Sequence, residues 1–221
     1  MQNTDRDNPR LAALAYAARG WHVFPCHSAR AGRCSCGAPA CQHAGKHPRT
    51  LHGLKDATTD PALITRWWQQ WPDANVAVAT GAVSGLVALD EDPRHGGDVS
   101  LDLLTHEHGP LPETVEALTG GGGRHLLFLH PGVPLKSGTD RLGPGLDVKA
   151  DGGYIIAAPS MHPSGQLYEW GATHDPEDVP IAPPPSGFWR SCENLREPMA
   201  KPVTPKAHLS AKGSAMPLSP V

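Results

Sequence analysis

A mixed α/β (α+β) fold with largely antiparallel pairing is predicted for this 221-residue chain by three observations. Helical periodicity is confined to three short stretches. Apolar runs of strand length crowd the second half, and turn residues separate them. Gly and Pro number 24 each, with 39% hydrophobic and 19% charged residues, a loop-rich composition that excludes a helical bundle, a coiled coil and a membrane span.

Pro9 to Ala18 reads as the first helix, with Leu11, Leu14, Ala15 and Ala18 at helical spacing and Gly20 placed to end it. Trp21 to Pro25 is a short strand. Asp60-Pro61 forms an N-cap with Pro at the first helical position, opening a helix whose Ile64, Trp67, Trp68 and Trp71 make an apolar stripe ended by Pro72. Burial alone produces that spacing, so the tryptophans read as core, with base stacking as the alternative. Val76 to Thr80 and Leu86 to Leu89 are strands joined by a Gly81 to Gly85 turn, and Gly97 to Glu107 is a third helix. Val115 to Thr119 and His125 to His130 bracket four glycines as two strands. Leu146 to Ala150, Tyr154 to Ala158 and Gln166 to Trp170 follow, with hairpin-like links at Asp151-Gly152-Gly153 and Pro163-Ser164-Gly165. One domain over residues 9–190 is expected, with a Cys/His-rich insertion at 26–50. Residues 196–221, rich in Pro, Ser and Lys, are expected to form a disordered tail.

A formal charge of -3 argues against a surface that attracts nucleic acid everywhere. The average hides an asymmetry. Arg19 to Lys55 holds six Lys or Arg residues, five His and no acid, whereas Asp60 to Gly120 holds ten acids against Arg66 and Arg94. One segment suits phosphates, the next divalent cations. The N-terminus lacks a secretory apolar region, so the expected location is cytoplasmic, with no membrane partner.

Four groups of residues carry candidate chemistry. The apolar run Leu86 to Leu89 ends in Asp90-Glu91-Asp92, and strand alternation turns Asp90 and Asp92 to one face and Glu91 to the other. Hard cations such as Mg2+ or Mn2+ suit that pair, and a polar strand terminus before a turn explains it equally well. Asp147 has a similar strand setting with Lys149 on its face, either a third metal carboxylate or half of a surface ion pair. The run Gly120 to Gly123 followed by Arg124-His125 lets backbone N–H groups approach an anion, or is simply a flexible hairpin loop. It matches neither a P-loop nor a dinucleotide fingerprint. Cys34, Cys36 and Cys41 lie within eight residues and precede His43 and His47, a spacing that favours structural zinc over disulfides in a reducing compartment. His47 is the first choice for fourth ligand, followed by His43, His27 or Cys26. Cys192 stands apart, with no role assigned.

Taken together, these motifs resemble the bifunctional DNA primase/polymerase (prim-pol) N-terminal domain of the archaeo-eukaryotic primase superfamily. The ordered markers are GWHVFP (20–25), GLKDATTDPALITRWWQQWPDANVAVATG (53–81), LVALDEDPRHGG (86–97), GGGGRH (120–125), GLDVKADGGYIIAAPSMHPSG (145–165) and YEW (168–170). The resemblance implies a primase-like catalytic core in which Asp90, Asp92 and Asp147 hold Mg2+ or Mn2+ and are catalytic. It also implies nucleotide binding by His125, with Lys149 beside the phosphates and Ser160 and His162 as pocket or positioning residues, while Arg124 joins them as a phosphate donor read from its place after the glycine run. For Ser160 and His162, a tight turn between Pro159 and Pro163 is the alternative reading. A small zinc element held by Cys34, Cys36, Cys41 and His47 fits a variant of the family. The implied activity is template-dependent transfer of a nucleotide from an NTP or dNTP to a 3'-hydroxyl on single-stranded DNA, in the replication of a plasmid, phage or integrated element. A helicase would be a separate partner. Two readings from other classes remain: a catalytically weak, zinc-containing module that binds single strands, and a metal-dependent phosphoesterase using the same acids.

Overall fold

The computed structural model describes residues 8–185. The expected tail at 196–221 and Cys192 lie outside the described residues. Helix α1 (Pro9–Ala18) begins where the Asn8 side chain accepts the N–H groups of Arg10 and Leu11, a cap worth about 1 kcal/mol. Helix α2 (Pro61–Gln70) is capped by Asp60, which accepts the Ala62 N–H. Its Ile64 and Trp68 are buried, each contributing roughly 1.5–3 kcal/mol, while Trp67 and Trp71 are half-buried at the margin. The tryptophan stripe is therefore core, and Trp68 Nε1 donates to the Ala74 carbonyl. Helix α3 is Gly97–His108.

Among the described residues, every pairing between the strands is antiparallel, and the strands divide into two sheets and a ribbon. β1 (Val23–Cys26), β4 (Asn75–Ala79) and β9 (Tyr154–Ala157) form a three-stranded sheet in that order. The five-stranded sheet runs β10 (Glu169–Trp170), β6 (Glu116–Leu118), β7 (Arg124–Leu129), β5 (Leu86–Glu91) and β8 (Leu146–Lys149). β2 (Ala29–Arg30) and β3 (Arg33–Cys34) form a ribbon whose two turn residues, Ala31 and Gly32, both have positive φ, the tight reversal that matches strand twist.

One expected connection turns out differently. The Asp151-Gly152-Gly153 link is not a hairpin: β8 pairs with β5 and β9 with β4, so the chain crosses between sheets there, as it does at Gly81 to Gly85. The two crossings lie side by side, with the Thr80 N–H donating to the Gly153 carbonyl. Glycine marks a change of direction, and tertiary burial selects the pairing partner. The last strand shortens to Glu169–Trp170, because only these residues pair with β6, while the Pro163 to Gly165 reversal is closed by a Met161 to Leu167 bridge.

One core cluster joins α1 and α2 to Val76, Val78, Ile155 and Ala157 of the first sheet and Leu86, Ala88 and Leu127 of the second. The opposite face of the five-stranded sheet, with Val87, Leu89, Leu126, Phe128 and Val148, packs with Leu101 and Leu104 of α3. Both faces of β5 are thus covered, which explains its unbroken apolar run before the acids.

Candidate active site and metal centre

Where β5 leaves the apolar core, its register sets the chemistry. Asp90 lies directly opposite His125 on β7 and Asp147 on β8, so three candidate side chains from three adjacent strands share one face. Lys149, two residues from Asp147, joins them. Its ammonium is 2.7 Å from Asp147 Oδ2 and 3.7 Å from Asp90 Oδ2, a cation between two carboxylates. His125 is buried, with Nε2 3.5 Å from Asp90 Oδ1, Nδ1 without a partner, and the ring stacked on Tyr168. Burial holds its imidazole below the ordinary value, Asp90 opposes this, and Lys149 and Lys46 reinforce it. The ring is therefore neutral at pH 7, with one N–H to donate.

This face opens on two adjoining cavities of about 490 and 500 Å3, both lined by Lys46, Asp90, His125, Asp147 and Tyr168. Asp92 lines the first from just beyond β5 and is already engaged. Arg94 grips it with Nε at 3.0 Å and Nη2 at 2.9 Å, His95 Nδ1 lies at 2.9 Å, and the Arg94 N–H completes a cap on the turn Pro93–His95. These bonds, Arg94 foremost, hold its carboxyl well below the usual carboxylate range. The donor set fits a hard divalent cation: oxygen ligands from Asp90 and Asp147 on rigid strands, with Asp92 at the rim.

The remaining predicted residues divide. His162 lines the first cavity and is held by Ser164, whose hydroxyl donates to the Gly120 carbonyl. Burial, with Lys46 and Arg94 nearby, holds His162 below the ordinary imidazole value. Ser160 does not face the cavity: it is buried with its hydroxyl accepting the Val76 N–H, a joint between β4 and the turn after β9. Arg124 points to the other face of the sheet, where it pairs with buried Glu91 and with Glu116 at 3.5 Å. Strand alternation separates it from its neighbour His125. The glycine run also has another basis. Gly122 and Gly123 donate their N–H groups to Thr119, and a Cβ at Gly123 would lie 2.1 Å from the Glu91 carbonyl oxygen, so the hairpin is packed tightly against β5. Lys46, Arg94 and Tyr168 were not among the predicted site residues. Arg94 and Tyr168 stand within the motifs at 86–97 and 168–170, but no local pattern shows that Lys46 lines the same cavities as Asp90.

In the Cys/His segment, the ligand atoms of Cys34, Cys36, Cys41 and His47 all lie within 4.8 Å of one another, with Cys34 Sγ 3.3 Å from His47 Nε2. Among the described residues this is the one group of three or more metal-ligating side chains so gathered. Burial opposes ionisation of Cys34, but N–H groups of Cys36 and Gly45, with Cys36 and His47, bring its thiol down to about 6. Three thiolates and an imidazole fit tetrahedral zinc. The other candidates for fourth ligand are placed elsewhere: His43 lines the second cavity, Cys26 is buried in the core against the Lys46 carbonyl, and His27 bonds Ser35 while stacking on His47.

An α+β domain with an acid-lined cleft between its sheets and a Cys3His cluster beside it defines the class. The chain belongs to the family of the bifunctional DNA primase/polymerase N-terminal domain, which it matches over residues 13–186. No match to the chain is found among curated proteins. Among the described residues, no helix is long and apolar enough to cross a membrane.

Proposed function

We propose that this domain is a template-dependent DNA primase/polymerase, transferring a nucleotide from an NTP or dNTP to a 3'-hydroxyl on single-stranded DNA during replication of a plasmid, phage or integrated element. The observation that carries the reading is the placement of Asp90, Asp147 and His125 side by side on one sheet face at the floor of the cleft. Asp90 and Asp147, with Asp92 at the rim, would hold Mg2+ or Mn2+, which when bound supplies activation of the hydroxyl and neutralisation of phosphate charge. The 3'-oxygen forms a new bond to the α-phosphorus as the bond to the bridging oxygen breaks and pyrophosphate leaves. Neutral His125 donates its N–H to a phosphate oxygen, Lys149 balances the paired carboxylates, and His162 lines the same cavity. Zinc held by Cys34, Cys36, Cys41 and His47 would be structural, since no acid lies near enough in sequence to act as a base. Template unwinding would fall to a separate helicase.

The test is labelled-nucleotide incorporation on single-stranded DNA with Mg2+ or Mn2+, comparing wild type with Asp90→Ala/Asp92→Ala. Products that vanish in the double variant support the reading. Equal strand binding by both proteins with no incorporation by wild type would replace it with an accessory binding module. Release of monophosphates without extension would indicate a phosphoesterase.

A further inference from the structure

Three Lys or Arg residues line the two cavities, and two are committed. Arg94 is bound to Asp92 and Lys149 to Asp147. Lys46 lines both cavities, and among the described residues no carboxylate oxygen comes within 4 Å of its ammonium. Its side chain is exposed, yet its backbone is fixed. The Lys46 carbonyl accepts the Tyr154 hydroxyl at 2.9 Å, its N–H donates to the His43 carbonyl, and the adjacent Gly45 carbonyl accepts from buried Asn75 at 2.8 Å. On one side stands His47 and, five residues before, Cys41, both members of the Cys3His cluster. The Gly45 turn, at φ +72° and packed against Ala29, Asn75 and Met161, carries the chain from that cluster to the cleft.

We infer that Lys46 contacts the phosphates of the incoming nucleotide, and that the Cys3His cluster serves the reaction by fixing the loop that presents it. An uncommitted cation on a rigid backbone, at the mouth of a cleft floored by carboxylates, is placed to receive a polyanion that those carboxylates would otherwise repel. Of the two phosphate sources, nucleotide is favoured over template because Lys46 shares its cavities with Asp90, Asp147 and His125. This rests on the nucleotidyl-transfer reading above.

The test uses the full chain loaded with zinc and measures dATP binding calorimetrically in Mg2+, single-stranded oligonucleotide binding, and zinc content. Lys46→Ala is expected to weaken dATP about 10-fold to 100-fold, the worth of one charge-assisted hydrogen bond, with zinc content and oligonucleotide affinity unchanged. Lys46→Arg should recover most of the affinity. Wild type and Lys46→Ala binding dATP within twofold of each other would overturn this inference while leaving the wider reading intact. Lost oligonucleotide affinity with dATP affinity retained would assign Lys46 to the template and also overturn it. Wild type that binds no dATP at all would overturn both.

Discussion

On paired strands β5 and β7, consecutive residues enter opposite surroundings: Asp90 and His125 turn to the cleft, while Glu91 and Arg124 turn to the side covered by α3. Glu91 is 6% exposed and its charge is matched by Arg124, so on that face the carboxylate is sealed in an ion pair, while Arg124 also lines a separate cavity of about 570 Å3 beside α3. On the cleft face, Asp90 is 28% exposed with no charged partner closer than 3.5 Å, while Asp147 accepts from Lys149 at one oxygen and from the Asp140 N–H at the other. The same charges, one residue apart, form a sealed pair on one face and, in the proposed function, would present binding groups on the other. Solvent access and pairing, more than residue type, make the difference.

The largest effect should come from breaking the open face. Asp147→Ala is expected to lower nucleotide incorporation by roughly 10³-fold, the several kcal/mol attributed to metal-based charge stabilisation, while the melting temperature changes little. A variant that loses stability in step with activity would make the cleft face structural too. The closed face should respond the other way. Arg124→Ala leaves the Glu91 carboxylate buried and partly unpaired, costing about 1–3 kcal/mol, or roughly 2–12 °C in melting temperature for a domain of this size, with dATP affinity retained. Loss of dATP affinity at unchanged stability would return Arg124 to the nucleotide site.

The smallest effect concerns the crossings between sheets. Asp151 accepts the Ala82 N–H at one oxygen and the Leu135 N–H at the other, both at 2.9 Å. Burial opposes its ionisation, but these two donors and His130 outweigh it and hold the carboxyl below its ordinary 3.8. The unfolded chain therefore binds more protons just below that value, so this contribution is present above 3.8 and is lost as pH falls through the folded pKa. Asp151→Asn should cost about 1 kcal/mol near neutral pH, and the gap should narrow in acid. Chemical denaturation of both proteins across that range checks it, and a gap independent of pH would discard the assignment.

Much of the architecture could be read from local pattern. Asp60 begins a helix as a cap, Pro72 follows the end of α2, and the Ile64 and Trp68 spacing yields the buried stripe. The hairpin of β6 and β7 around its glycines also forms as expected. Site residues on strand ends were legible because alternation sorts Asp90 from Glu91 and binds Asp147 to Lys149 within one short segment. Arg124 and Ser160 were misplaced for the same reason in reverse. Adjacency to a candidate histidine or to a Pro-flanked turn says nothing of which face or which backbone group a side chain meets.

The sequence by itself determined the α+β class, the acidic strand ends and the thiol and imidazole spacing, because caps, alternation and ligand spacing act over a few residues. Only the tertiary structure decided that β4 and β5, and likewise β8 and β9, belong to different sheets, that Asp90 faces Asp147, and that the loop after Cys41 carries Lys46 to the cleft. Those outcomes depend on which apolar faces bury one another across long chain separations, and no local pattern encodes that pairing.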